Sequence, residues 1–267
     1  MSDGAGQEER GRRFAALHEE GCFLIPNPWD AGTARVLEAL GFEALATTSS
    51  GFAFTLGRED GGVTLDELVE HVATLAAATD LPISVDLENG YGAAPEHAAR
   101  AIEAVAAVGA VGGSIEDWEE EAGIYEVGAA AERIAAAAEA ARELPFQFLL
   151  TARAENHIRG NPDLEDTIAR LRAYEAAGAD VLYAPGLASV AEIEAVVAAV
   201  GKPVNVLARP TLSVAEIAGA GARRISVGGS LAWATVEAMA EVAERMRDAG
   251  DLSGLRDSTK VGEWLIE

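Results

Sequence analysis

"ADVLYAPGLASVAEIEAVVAAVGKPVNVLAR", residues 179–209, holds two short apolar runs, 179–185 and 203–209, joined by a helical segment over 189–200. Ser189 stands where a helix N-cap belongs, because its hydroxyl can accept from an amide that the first turn leaves unpaired. The flanking runs are short, apolar and β-branched, as strands buried on both faces are. A strand, a helix and a second strand in that order predict a parallel pair covered by its crossover helix.

The unit recurs along the whole chain. Further strands are predicted at 22–27 ("CFLIPN"), 43–49, 82–87, 110–117, 146–153 and 223–229, and helices near 30–40, 64–79, 95–108, 128–142, 163–177, 213–220 and 230–249, with an extra one near 8–19. Thr64 ahead of Asp66 and Glu67, Pro95 in a first turn and Ser213 supply start signals. Eight unbroken units predict an α/β fold closed into a (β/α)8 TIM-like barrel, with a doubly wound open sheet as the alternative. Residues 13–267 read as one barrel domain with a C-terminal helical tail. Residues 1–12 read as a frayed polar leader; they contain no apolar stretch of the kind a secretory signal needs.

Bulk composition narrows the partners. A formal charge of −24 over 267 residues opposes binding to a nucleic-acid backbone. No apolar run reaches the roughly 18–20 residues of a membrane span. Lys202 and Lys260 are the only lysines, a bias that either a salty cytoplasm or a GC-rich genome would produce. Cys22 is the only cysteine, so no intrachain disulfide forms, and a cytoplasmic setting is expected.

In such a barrel the working surface lies at the C-terminal ends of the strands. Those ends read "TTSSG" with Asp60 beyond it, "DLENGYG", "SIED", "TARAEN", "APG", "LARP" and "GGS". Asp60, Asp86, Glu88, Glu116, Asp117 and Glu155 are therefore expected over one mouth. Carboxylates so crowded repel one another unless some hold protons or a cation sits among them. With oxygen donors and no cysteine or histidine pair at ligand spacing, the expected ion is Mg²⁺, with Mn²⁺ as substitute. Asp86 and Glu88 lie two apart, so on an extended strand both would point the same way. Arg153 is either an ion-pair partner for these groups or a fork for a substrate carboxylate. "TTSSGF" (47–52) offers hydroxyls and turn amides to an anion. Cys22 reads as core filler and His157 as a loop histidine. "VGGS" (227–230) is either a phosphate site or a turn in which Ser230 caps the last helix. "DWEEEAGIYE" (117–126) reads as a solvated, mobile loop placed to act as a lid.

In order and spacing, "TSSGFAFTLGREDG", "PISVDLENGYG", "GSIED", "ARAEN" and "YEAAGADVLY" resemble the isocitrate lyase/phosphoenolpyruvate mutase superfamily over about residues 20–245. The resemblance implies a modified barrel, a homotetramer that often exchanges its eighth helix between subunits, a Mg²⁺ site, and 2-oxo or 2-hydroxy carboxylate substrates. It implies that Asp86 ligates the metal directly, while Asp60, Glu88 and Glu116 hold its waters. Ser50, Gly51 and Phe52 would meet the substrate carboxylate, and Arg153 its oxygens. Family members often carry aspartate at the Glu88 position. Two departures bear on the reaction. The lysine-lysine-cysteine-glycine-histidine loop of the lyases, and the lysine and asparagine of the mutases, are replaced by "EDWEEEAGIYE". A histidine after the sixth strand is replaced by Ala184.

The expected activity is therefore a Mg²⁺-dependent lyase that cleaves a C–C bond or decarboxylates a small 2-oxo or 2-hydroxy carboxylate. Arg153 orients the anion and Glu116 manages protons. The alternatives are a phosphonate P–C mutase or hydrolase, and a barrel that binds a 2-oxo acid without turning it over. The expected partner is a small anionic carboxylate, with no nucleic acid and no membrane.

Overall fold

The computed structural model of the chain describes residues 4–265. In chain order its strands are β1 (Phe23–Ile25), β2 (Leu45–Ala46), β3 (Ile83–Asp86), β4 (Gly112–Glu116), β5 (Trp118–Glu119), β6 (Gly123–Ile124), β7 (Leu149–Arg153), β8 (Val181–Tyr183), β9 (Val204–Leu207) and β10 (Arg224–Ser226). The helices are α1 (Gly4–Ala16), α2 (Ala31–Ala39), α3 (Ser49–Thr55), α4 (Leu65–Ala78), α5 (Pro95–Ala106), α6 (Val127–Glu143), α7 (Leu164–Ala176), α8 (Val190–Ala199), α9 (Val214–Gly219), α10 (Ser230–Ala249) and α11 (Thr259–Leu265). Thr64, Ser189 and Ser213 each form a capping box with the glutamate three residues on, and Pro95 opens α5, so the start signals act as expected.

Eight parallel strands follow the neighbour order β1-β10-β9-β8-β7-β4-β3-β2, and β5 and β6 form a separate antiparallel hairpin. The remaining seam of the barrel, between β1 and β2, is held by the Ala46 amide donating to the Pro26 carbonyl at 3.1 Å. Asn27 reinforces it. Its Nδ2 donates to the Thr47 carbonyl at 2.8 Å, while its Oδ1 accepts from the Val227 and Gly228 amides at 3.0 and 2.9 Å. One buried amide thus ties the ends of β1, β2 and β10, which short strands cannot do with ladder bonds alone.

The fold is the predicted (β/α)8 barrel, with local departures. Residues 4–12, expected to fray, lie in α1. There Gln7 is buried and donates to the Ala106 and Ala110 carbonyls, and Phe14 is fully buried in the apolar plug with Ile25, Ala44, Val111, Leu149 and Val181. Burying that ring offsets the entropy of ordering the segment. Residues 1–3 of the expected leader lie outside the described residues. "TTSSGF" was expected as a turn but winds into α3, capped by Thr48, and in the C-terminal tail, expected to be helical, α11 lies against α2. The expected Ser230 cap is not made: Gly229 occupies the N-cap of α10 and gives no side-chain bond. No helix among the described residues is long and apolar enough to cross a membrane.

Asn27→Ala should remove the acceptor for two amides and open the β1–β2 seam, costing about 1–3 kcal/mol. Urea unfolding followed by circular dichroism measures this, and an unchanged midpoint would dismiss Asn27 as the staple.

Candidate active site

Parallel pairing sets Glu116 of β4 beside Arg153 of β7, and Arg153 beside Tyr183 of β8. Arg153 is the hub. Its guanidinium reaches Asp86 Oδ1 at 2.8 Å, Glu116 Oε2 at 2.8 Å and Glu155 Oε1 at 2.9 Å, and it lies over the Tyr183 ring at 5.4 Å. Burial alone would lower the Arg153 pKa, but Glu155, Glu116 and Asp86 together hold it well above the ordinary value. One permanent cation therefore serves three carboxylates in a region from which water is largely removed. It does not satisfy them all. Burial pushes Glu116 and Glu155 up despite Arg153, and the neighbouring acids add to the rise at each.

"DLENGYG" folds as a strained loop. Thr47 Oγ1 accepts from the Asp86 amide at 2.8 Å, and Asp86 Oδ2 accepts from the Ser49 amide at 3.3 Å. The strand ends at Asp86. Glu88 then turns left-handed at φ 48°, followed by Gly90 at 81° and Tyr91 at 61°. Gly90 is needed twice over, since a Cβ there would also stand 2.9 Å from the Ala98 backbone. Arg133, buried in α6, gathers the carbonyls of Asn89, Gly92 and Ala93 and pins the loop. Left-handed residues other than glycine, held at a cost of about 1–3 kcal/mol each, cluster where geometry serves function.

Two adjoining cavities share Ser49, Asp60, Arg153 and Ile158. The smaller, about 160 Å³, runs down the barrel axis past Ser50 and Asp86. The larger, about 850 Å³, opens outward beside Glu88 and Glu116. Asp60, Asp86, Glu88 and Glu116, the four expected metal-site acids, thus line connected space. The expectation that Asp86 and Glu88 point the same way fails, because Glu88 is not extended, and the two serve different cavities. Asp117, expected at the mouth, is buried behind it. It accepts from Arg170 at 3.0 Å, from Tyr174 Oη at 2.5 Å and from the Glu155 amide at 2.8 Å, a fixed support for Glu155.

The expected carboxylate-binding turn is only partly free. The Gly51 amide donates to Thr48 Oγ1 and the Phe52 amide to the Thr48 carbonyl, while the Phe52 ring stacks on His71 with centroids 3.8 Å apart. Helix α3 has absorbed both amides, and neither residue lines a cavity. Ser50 does. Cys22 packs against the core, and His157 bonds Thr167 at 2.8 Å. The acidic run 117–126 is no free loop. It forms the β5–β6 hairpin, tied through Tyr125 to Glu119 at 2.7 Å and to Asn89 at 3.2 Å, and Arg159 lies 3.3 Å from the Trp118 ring centroid. Arg159, Tyr183, Asn205 and Arg224 line the site although the sequence did not single them out. For the last three the available signal was a polar residue at an inward position of a buried strand.

Glu88 Oε1 is buried and has no hydrogen-bond partner. Burial, then Asp86 and Asp60, push Glu88 up to about 8, and burial also raises Asp60, with the Ser49 side chain partly offsetting it. Such a donor set has negative charge to spare and suits a hard divalent cation. Among the described residues no three histidine, cysteine, aspartate or glutamate side chains are gathered closely enough to form a complete cage. The set therefore fits an ion that keeps several of its own waters, as Mg²⁺ does, and not one that needs a full protein shell.

Comparison with known proteins accords with this geometry. Residues 14–247 match the family model described as phosphoenolpyruvate phosphomutase. The chain is similar to a Burkholderia cenocepacia protein solved as a candidate lyase or mutase, at 50% identity and TM-score 0.95 with 98% of each chain covered. It is 29% identical to the oxaloacetate decarboxylase of Rhodopseudomonas palustris strain TIE-1, over 91% of this chain and 87% of the relative. Oxaloacetate acetylhydrolase, solved with its product oxalate, superposes with TM-score 0.87 at 26% identity, covering 96% and 94% of the two chains.

Arg153→Met should cost about 3–5 kcal/mol at pH 8, because three buried carboxylates lose their counter-ion. The loss should shrink at pH 5. Carboxyls whose folded pKa is raised bind protons more readily folded than unfolded, so stability falls as pH rises toward that value and recovers below it. Denaturant titrations at both pH values decide, and a loss that does not change with pH counts against Arg153 as the charge hub.

Proposed function

Because the chain belongs to the phosphoenolpyruvate phosphomutase family, within the isocitrate lyase/phosphoenolpyruvate mutase superfamily, we propose that it is a Mg²⁺-dependent lyase of small 2-oxo or 2-hydroxy carboxylates. Its reaction is C–C cleavage or decarboxylation in the cytoplasm. The observation that carries the reading is Arg153, fixed by Asp86, Glu116 and Glu155 where both cavities meet. The relatives named above as oxaloacetate decarboxylase and oxaloacetate acetylhydrolase support this substrate class.

Asp86 would hold the metal directly, with Asp60, Glu88 and Glu116 on its waters. When bound, Mg²⁺ supplies charge neutralisation and Lewis-acid polarisation of an oxo group. The protein's own groups do the rest. Ser50 and Arg153 bind and orient the anion, and Arg153 is prepaid by three carboxylates, so it needs no reorganisation as oxygen charge develops. In decarboxylation of a 2-oxo acid the pair of the breaking bond moves onto the 2-oxo oxygen and the carbon left behind takes a proton. In cleavage of a 2-hydroxy acid the hydroxyl gives up its proton to become the carbonyl, and the departing fragment takes the pair and a proton. Glu116, buried and raised well above the ordinary carboxyl range, is the side chain that would carry that proton. Trp118 under Arg159 screens the outer cavity from water. Cys22 packs against the core and is not among the residues lining either cavity, so it cannot stand in for the lyase thiol.

The assembly we propose is a homotetramer in which α10 docks on a neighbouring subunit. Within its own chain α10 buries only Ala232 and leaves Leu231, Trp233, Met239 and Met246 exposed. Sedimentation velocity should give a tetramer that Trp233→Glu splits; a monomeric wild type would end the idea.

Purified protein with Mg²⁺ should turn over oxaloacetate, methylisocitrate or a related acid, and Asp86→Ala should lower the rate by on the order of 10²–10³-fold or more. Chelation should do the same. A panel of such acids with no turnover, or undiminished Mg²⁺ uptake by the variant, would refute the assignment, and phosphonopyruvate followed by phosphorus NMR should show no P–C cleavage.

A further inference from the structure

Strand register lays a row of polar side chains around one side of this barrel. Glu116 of β4 pairs with Arg153 of β7, Arg153 with Tyr183 of β8, Tyr183 with Asn205 of β9, and Asn205 with Arg224 of β10. Arg153, Tyr183, Asn205 and Arg224 all line the smaller cavity. Barrels of this kind are normally filled there with branched apolar side chains. Glu116 and Arg153 have their use in the hub. Arg224 is the costly member, because it is only 4% exposed and its three side-chain contacts, Asn205, Thr151 and His18, are neutral. His18 is kept so by burial, then by Arg224, which hold its pKa down at about 3.

Arg224 fixes the direction of the hydrogen bonds that lead up from it. A guanidinium can only donate. Its Nε donates to Asn205 Oδ1 at 2.9 Å and its Nη2 to Thr151 Oγ1 at 3.0 Å. With Oδ1 committed, the Asn205 amide can offer only Nδ2 to its other neighbour, and Nδ2 donates to Ser226 Oγ at 3.0 Å. Ser226 has then accepted from below, and its own hydrogen is left for the Tyr183 phenol. The Ser226 side chain does lower that phenol's pKa, as a donor to it must. The Tyr183 oxygen accepts from Ser226, so its own O–H is left for the cavity. Burial nevertheless pushes the phenol up to about 12, and at neutral pH it keeps its hydrogen.

Resting on the 2-oxo acid chemistry proposed above, we propose that Tyr183 is a catalytic residue whose O–H donates a hydrogen bond to the 2-oxygen of the substrate as negative charge collects there. Arg224, Asn205 and Ser226 are positioning residues that hold the O–H in that direction. Tyr183 keeps its proton throughout. Its ring centroid lies 5.4 Å from the Arg153 guanidinium, so an anion gripped by Arg153 is brought to the phenol. A donor already aimed needs no reorganisation when the charge appears.

Calorimetry on the Mg²⁺-loaded protein tests this with pyruvate, whose 2-oxygen is neutral, and oxalate, whose corresponding oxygen is charged as in an enolate. Tyr183→Phe should weaken oxalate by about 30-fold and pyruvate by no more than about 3-fold, as hydrogen bonds to charged and neutral oxygens differ. Asn205→Asp tests the direction. A carboxylate there accepts from both Arg224 and Ser226, so Ser226 must accept from Tyr183, and the phenol O–H turns away from the cavity. This variant gives Arg224 a counter-charge and should melt no lower than the wild type, yet lose oxalate affinity as Tyr183→Phe does. The double variant should be no weaker than the worse single one, because both act through the same O–H. Unchanged oxalate binding in Tyr183→Phe, or equal losses for oxalate and pyruvate, overturns the Tyr183 proposal alone. Losses that multiply in the double variant overturn the positioning chain. A wild type that binds neither acid sinks the lyase reading and this proposal with it. Should Tyr183→Phe not fold, Asn205→Asp decides: a fallen ratio of oxalate to pyruvate affinity supports the proposal, and an unchanged ratio overturns it.

Discussion

A single guanidinium among three buried carboxylates governs this site. Asp86, Glu116 and Glu155 come from the ends of three strands or the loop just past one, and at these separations they could not all stay charged without Arg153. Strand register alone makes the arrangement possible, because parallel pairing of β4 with β7 puts Glu116 and Arg153 side by side. Whatever else enters the mouth meets a cation already paired, and two further acids, Glu88 and Asp60, whose crowding Arg153 does not relieve. That balance makes room for a divalent ion without requiring the protein to cage it.

Around the hub, further buried arginines act as fasteners. Arg133 clamps the carbonyls of the strained "DLENGYG" loop, and its guanidinium also lies 4.7 Å from the Tyr125 ring centroid. Arg170 anchors Asp117 and also donates to the Tyr125 carbonyl, so the hairpin root, β4 and α7 share one knot. Most arginines of this chain stay wholly or partly exposed, so the burial of Arg133, Arg170 and Arg224 marks where geometry is fixed. Carboxylates stabilise two of the cations, Arg153 and Arg170, while Arg133 relies on backbone carbonyls.

Much of this was legible in the residues. The strand–helix alternation, the Thr64, Ser189 and Ser213 caps, and the meeting of Asp86, Glu116 and Arg153 follow from local pattern plus the rule that active ends of barrel strands share one face. What escaped notice depends on tertiary context. Seven residues around "SSGF" make barely two turns, too few to show a sustained apolar repeat, so the pattern there reads as a turn. Asp117 sits next to Glu116 in sequence, and adjacent strand positions face opposite sides, so one reached the cavity and the other went to Arg170 and Tyr174. Glu88 was placed by assuming that the strand continued, whereas the left-handed turn begins there. The run 117–126 reads as solvated because five acids stand in it, yet its two aromatics, Trp118 and Tyr125, decide its fold through Arg159 and Glu119.

The absence of the lyase and mutase loop residues has a structural consequence beyond the missing thiol. Where those loops bring lysine, cysteine or histidine to the reacting carbon, this chain brings a hairpin whose side chains at the mouth are Trp118, Glu119 and Glu120. None is a nucleophile at neutral pH, and none is a cation. Positive charge at the mouth then comes from Arg153, from Arg159 beside the hairpin and from any ion bound by Asp86, while proton transfer falls to a carboxyl or to water. Chemistry arranged in this way favours bonds whose cleavage needs only an electron sink, and disfavours those that require a second group to stabilise the departing fragment. Loss of carbon dioxide meets that condition, because the departing fragment is neutral and needs no proton.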